Sequence, residues 1–259
     1  MRNLQKNFSH SFDGKVWNIE SEVNGDYLVI EVRNEDTLTA SFFTYNSLDN
    51  SLSESPIILE ETWWVGITGA VGKVIIFHAF TDTENPQHKS FFAWDVEKKK
   101  VIWAKTDISL VEFGDRYIQA RRDDEPLFIN METGDEEMTQ EFMKLVENKP
   151  IGLPFHYVPD TDHYNTVSGF LRMIGMDADS GHGIDYLEVS GVVILSYYLK
   201  ADHLENRLIV MDTERHVLLN EKLGDHLKGI ADRPFFVYGD SLIFVKDYTD
   251  FFSYQLSRQ

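Results

Sequence analysis

FFAWDVEKKKVIWAKTD, residues Phe91–Asp107, joins an alternating aromatic run that ends at Trp94-Asp95 to an apolar run that ends at Trp103, with turn-like residues between. β-branched and aromatic side chains suit a pleated, half-buried surface, so the stretch predicts strand, turn, strand. Its parts recur. A Gly followed by a β-branched and aromatic run opens GDYLVIEV at Gly25, GKVIIFHAF at Gly72, GDRYIQAR at Gly114, GVVILSYYL at Gly191 and GDSLIFVKD at Gly239. A second run follows each, ending at Tyr45-Asn46, Trp94-Asp95, Ile129-Asn130, Met211-Asp212 and Tyr254-Gln255. The residues three and four places further on tolerate turns: Asp49-Asn50, Lys98-Lys99, Thr133-Gly134, Arg215-His216 and Arg258-Gln259.

Modules of roughly 40–48 residues, each holding several short strands, are the sequence form of a β-propeller blade. The expectation is an all-β chain, a single β-propeller domain over 1–259 with five recognisable blades. The interval from Gly114 to Gly191 is longer, about 77 residues, and holds either a sixth, degenerate blade or an insertion. Helical spacing of Met138, Phe142, Leu145 and Val146, and again of Tyr164, Val167, Phe170, Leu171 and Ile174 after caps at Thr161 and Asp162, favours a partly helical insertion over 136–182. The amino-terminal SFDGKVWNIES, set beside KKKVIW, reads as the strand that closes the ring, with Trp17 paired to the strand holding Phe251–Leu256.

The module resembles the repeat of the quinoprotein propellers, A-x-D-x-x-T-G-x-x-x-W, matched here by Ala93, Asp95 and Trp103, with Lys98 and Lys99 at the Thr-Gly positions. Around Asn130 the resemblance returns in Thr133 and Gly134, with Met138 in the Trp position. The whole chain also resembles an uncharacterised bacterial family of propeller-like proteins, and that resemblance implies no particular activity. A quinone-dependent oxidoreductase would need a larger ring and a calcium-assisted site, so no quinone cofactor is expected.

Composition narrows the partners. With 43 Asp+Glu against 24 Lys+Arg the formal charge is −19, which repels phosphate backbones and anionic lipid headgroups, so nucleic acid and membrane surfaces are not expected partners. The absence of cysteine removes disulfides and thiolate chemistry. MRNLQKNFSHSFDGK lacks the apolar core of a secretory signal, so the expected location is cytoplasmic.

The sharpest local motif is DADSGHGIDYLE. Asp177, Asp179, Asp185 and Glu188 fall at positions 1, 3, 9 and 12 of a calcium-binding EF-hand loop, where four carboxylates would wrap one hard cation. Gly181 brings no ligand to position 5 and His182 replaces the turn-forming Gly at position 6, so the expectation is a polar connection, with calcium as the cation these residues define. GDSL at Gly239–Leu242 matches a hydrolase signature, yet no Asp-x-x-His follows, and Ser241 is read as a strand residue. The nine histidines offer no HExxH and no i, i+4 pair for zinc; His163 and His182 lie among carboxylates and are given no role. Trp63-Trp64 and Tyr197-Tyr198 each should split between two faces, one member packing inward.

Three function classes remain. A non-enzymatic module binding a protein or small-molecule ligand requires no motif beyond those seen. A quinoprotein-like oxidoreductase rests on the repeat alone. An enzyme with carboxylates on a channel rim has no signature in one sequence.

Overall fold

A computed structural model describes residues 3–23, 25, 27–80, 89–137, 151–176, 182–200, 202–231 and 233–256. The chain opens with β1 (Gln5–Ser11), then builds a sheet from β2 (Lys15–Ser21), β3 (Tyr27–Asn34), β4 (Thr39–Asn46) and β5 (Ser51–Leu52) in chain order. The second sheet is β6 (Val65–Val71), β7 (Val74–Phe80), β8 (Lys89–Asp95) and β9 (Lys100–Lys105). The third is β10 (Ser109–Phe113), β11 (Tyr117–Arg122), β12 (Glu125–Asn130) and β13 (Glu136–Glu137). Short β14 (Ile151–Gly152) and β15 (Phe155–Tyr157) precede helix α1 (Asp162–Met173). A fourth sheet runs β15, β16 (Ile184–Val189), β17 (Val192–Lys200), β18 (Leu204–Asp212), β19 (Val217–Leu227). The fifth runs β14, β20 (Phe235–Tyr238), β21 (Ser241–Lys246), β22 (Asp250–Gln255), β1.

Among the described residues the chain is all-β apart from α1, and the five modules read in the sequence correspond to these five antiparallel sheets. The quoted stretch is β8, a turn and β9. Its polar residue builds the turn: Asp95 Oδ1 accepts the backbone N–H of Glu97 and of Lys98, and Lys99 takes φ +52. Asn130 does the same for Glu132 and Thr133, with Gly134 at φ +77, and Asp212 for Glu214 and His216. Those N–H bonds, led by that of Lys98, hold the Asp95 carboxyl below its usual range. Gly25, Gly72, Gly191 and Gly239 have the positive φ expected of strand-opening glycines. Gly114 instead donates its N–H to Tyr117 O.

Two compact units divide the chain, Asp13–Lys149 and Met1–Phe12 with Pro150–Gln259. In the first, Val29, Phe42, Val65, Ile75 and Phe77 form one core, and Ile76, Ala93, Trp103, Ile118 and Ile129 another. In the second, Leu187, Ile194 and Leu208 of the fourth sheet pack with Phe235, Val237 and Phe244 of the fifth, while α1 lays Tyr164, Val167 and Leu171 on the opposite face of the fourth. Thr161 caps α1 by accepting the Tyr164 N–H.

Two expectations change. The amino-terminal strand that joins the last sheet is β1, with Phe8 opposite Ser253 and His10 opposite Phe251; Trp17 lies in β2, next to β3. Beside its helix α1, the insertion also supplies strands to neighbouring sheets. Glu136–Glu137 belong to the third sheet, β14 and β15 extend the fifth and fourth, and the spacing at Met138–Val146 lies outside the described residues. Among the described residues the segment makes no sheet of its own, and no helix is long and apolar enough to cross a membrane.

Candidate functional site

Of the acidic motif's four carboxylates only Asp185 and Glu188 lie among the described residues, and those two are not brought together. Asp177 and Asp179 lie outside the described residues, and Asp185 and Glu188 sit three apart on β16, which directs them to opposite faces. Asp185 is buried, and its Oδ1 lies 2.8 Å from His156 Nδ1. Glu188 is exposed and accepts the Tyr186 hydroxyl at 2.9 Å; burial, then this carboxylate, pushes the Tyr186 phenol up to about 12.

Asp185 instead heads a polar row across the fourth sheet. Strand register sets it opposite Ser196, and alternation puts Tyr198 on the same face, opposite Asn206. All four are buried. Ser196 Oγ donates to Asn206 Oδ1 at 3.0 Å, the Ala231 N–H donates to Tyr198 Oη at 2.7 Å, and the His182 ring stands 5.6 Å from that of Tyr198. A histidine oriented by a buried aspartate is half of a hydrolytic apparatus. Among the described residues the other half is not formed: a Cβ on Gly183 would meet His156 Nε2, so that nitrogen is packed on the chain, and Ser196 is engaged by Asn206. The row joins His156 to Asp185 and Ser196 to Asn206 at one end of an apolar face.

The unit Asp13–Lys149 carries a different arrangement. The Arg33 guanidinium lies 5.3 Å from the ring centre of Trp17 and 5.1 Å from that of Trp63. It is fixed there by Glu31 at 2.7 Å and by donating to the carbonyls of Trp63 and Val65 at 2.9 and 2.7 Å. Burial raises the Glu31 pKa, and Arg33 partly opposes that. His78 lies beyond Gly66, its Nδ1 2.9 Å from Thr68 Oγ1; burial, then the charges of Lys89 and Arg33, lowers it to about 4. Trp17 itself is 64 % exposed and Trp64 46 %. The β2 bulge between Val16 and Asn18 turns Trp17 outward.

A cleft of about 410 Å³ beside Gly72 is lined by Lys73, Asp115, Arg116 and Glu132, with Lys73 Nζ 3.9 Å from Glu132. Ser241 is buried on β21, as a strand residue. Tyr197 and Tyr198 are both buried, on opposite faces, so neither lines a surface. His203 is distant in the sequence from Asp225 and His226, yet the ligand atoms of the three lie within 4.8 Å of one another. The signal that relates them is a repeated tripeptide, Asp202-His203-Leu204 and Asp225-His226-Leu227.

A family model described as a domain of unknown function (DUF4905) matches residues 22–103. No curated protein matches the chain. Among solved structures it is similar to the β-propeller domain of the Trilobed protease from Pyrococcus furiosus, described as an open velcro topology, at 11% identity over 96% of this chain and 97% of that one, TM-score 0.35. It is also similar to the Dos1 propeller, at 10% identity over 93% and 54%, TM-score 0.29, and to a hypothetical protein from Leishmania major, at 13% over 100% and 90%, TM-score 0.28. At these values the likeness carries nothing about chemistry.

Proposed function

We propose that the chain is a non-enzymatic binding module of the β-propeller type, its five sheets serving as blades, and that it binds a protein partner through the surface of Trp17, Arg33 and Trp63. The observation that carries this reading is the guanidinium held between two indoles, one of them largely exposed. Trp and Arg are over-represented where interfaces concentrate their energy, because each offers broad contact area at small entropic cost once fixed. Arg33 is already fixed by Glu31 and two carbonyls, so a partner meets a surface ordered in advance. The charge of −19 disfavours nucleic acid and anionic membranes as that partner.

The experiment compares proteins captured from a cytoplasmic lysate by the parent chain and by Trp17→Ala, with circular dichroism as the check on folding. Trp17 is exposed, so the variant should melt as the parent does. A specific partner held by the parent and lost by the folded variant supports the reading; equal capture by both would overturn the assignment of this surface.

A further inference from the structure

Antiparallel pairing of β18 and β19 sets Leu204 of one Asp-His-Leu tripeptide opposite Leu227 of the other. The next pair is Asn206 with Gly224, so Asp225 and His226 together face the single residue Glu205. In a regular strand two neighbours would point to opposite faces, whereas a bulge re-aims them. His226 completes the bulge at φ +51, a conformation few residues other than glycine adopt. Both side chains thereby reach His203, which stands just before Leu204. His203 Nε2 lies 2.7 Å from Asp225 Oδ1, and the two imidazole centres are 4.0 Å apart.

From this geometry we infer that His203, Asp225 and His226 form a binding site for a divalent transition metal of the zinc class. Two imidazole nitrogens and one carboxylate oxygen select such ions over calcium and magnesium, which prefer all-oxygen shells. Asp225 Oδ2 is held by Lys222 Nζ at 2.7 Å, and Oδ1, which accepts the His226 backbone N–H at 2.9 Å, faces His203 Nε2; partners of this kind orient a metal-binding carboxylate. Tetrahedral zinc needs its donors roughly 3.3 Å apart, within reach of a group already gathered inside 4.8 Å. The imidazole planes are 25° from parallel, so one ring must turn to direct its nitrogen at the ion. His226 is exposed, and its rotation disturbs no core packing. The ion takes the place of the hydrogen between His203 Nε2 and Asp225 Oδ1, the neutral imidazole then carrying its hydrogen on Nδ1, and water completes the shell. The second cluster, Asp212, Glu214 and His216, brings one imidazole only.

The test is calorimetric titration of zinc chloride into the untagged full-length chain, beside His203→Ala, His226→Gln and His216→Ala, each checked for folding by its metal-free melting curve. The expected result is one zinc per chain, with affinity reduced at least about tenfold in His203→Ala and His226→Gln and unchanged in His216→Ala. His226→Gln changes an exposed side chain and carries the test if His203→Ala does not fold. Absence of zinc uptake by the parent, undiminished uptake by His226→Gln, or loss confined to His216→Ala would each overturn the assignment.

Discussion

Gly134 stands where a Cβ would lie 2.7 Å from both Cβ and Cγ of Trp103, and it also takes φ +77. Gly72, at φ +55, has nothing within 4 Å of the same point. An alanine at Gly72 meets only the left-handed backbone penalty, about 1 kcal/mol, whereas at Gly134 it must also displace a buried indole that donates to Met131 O at 2.7 Å. Overpacking adds about 2 kcal/mol, so Gly134→Ala should show a clearly lower urea midpoint than Gly72→Ala, and equal midpoints would refute the packing account. His78 provides a pH test. Its pKa, about 4 in the folded protein, is below the ordinary 6.5, so the unfolded chain takes up the proton first. Stability from this group is complete above about pH 6.5 and is lost as pH falls toward 4. Glu31, raised by burial, acts with the opposite sign, gaining stability as it protonates. Comparing the parent with His78→Gln between pH 7 and 5 isolates the histidine: the variant should lose less melting temperature on acidification, and parallel profiles would exclude His78 as the source.

Among the elements, β1 shows why a strand can be present and illegible. QKNFSHS is almost wholly exposed, so no apolar alternation marks it, and its pairing with β22 is specified by backbone and by Phe12, which is buried just beyond it. KVWNIES, with a Lys-Val and a Trp matching β9, looked the better closing strand, but its Trp lies in a bulge and faces solvent. Strands with one buried face were legible because burial writes a period of two into the sequence. α1 was legible through the helical spacing of its buried face, Tyr164, Val167 and Leu171, together with its Thr161 cap. Deleting residues 1–12 should therefore lower the melting temperature and speed amide exchange in β22, whose edge is then bare. Exchange in β3 and β7 should not change, and an unaltered β22 would count against β1 as a stabilising strand. β16 yields a second expectation: with Asp185 and Glu188 on opposite faces and Asp185 engaged by His156, millimolar calcium should leave the melting temperature of the parent and of Asp177→Ala unchanged. A rise of several degrees in the parent alone would restore the calcium loop.

For the molecule as a whole, the repeat was readable and the sites were not, for one physical reason. A repeat is local and is written at every turn, whereas Trp17, Arg33 and Trp63, or His203 and His226, meet only after strands pair. The same distinction governs the quinoprotein resemblance. Asp95 and Asn130 are used by their turns, each accepting two backbone N–H groups, and Lys99 and Gly134 serve the left-handed position that follows. Trp103 is fixed in its core, with its indole N–H on Met131 O. Each matched residue thus has a task in making and packing the sheet, which accounts for the pattern without a cofactor. We therefore expect no stoichiometric complex when pyrroloquinoline quinone and calcium are titrated into the protein with tryptophan fluorescence as readout, and no dye-linked oxidation of alcohols or sugars. Saturable binding at one quinone per chain, accompanied by such oxidation, would show that the repeat marks a cofactor site as well as a turn.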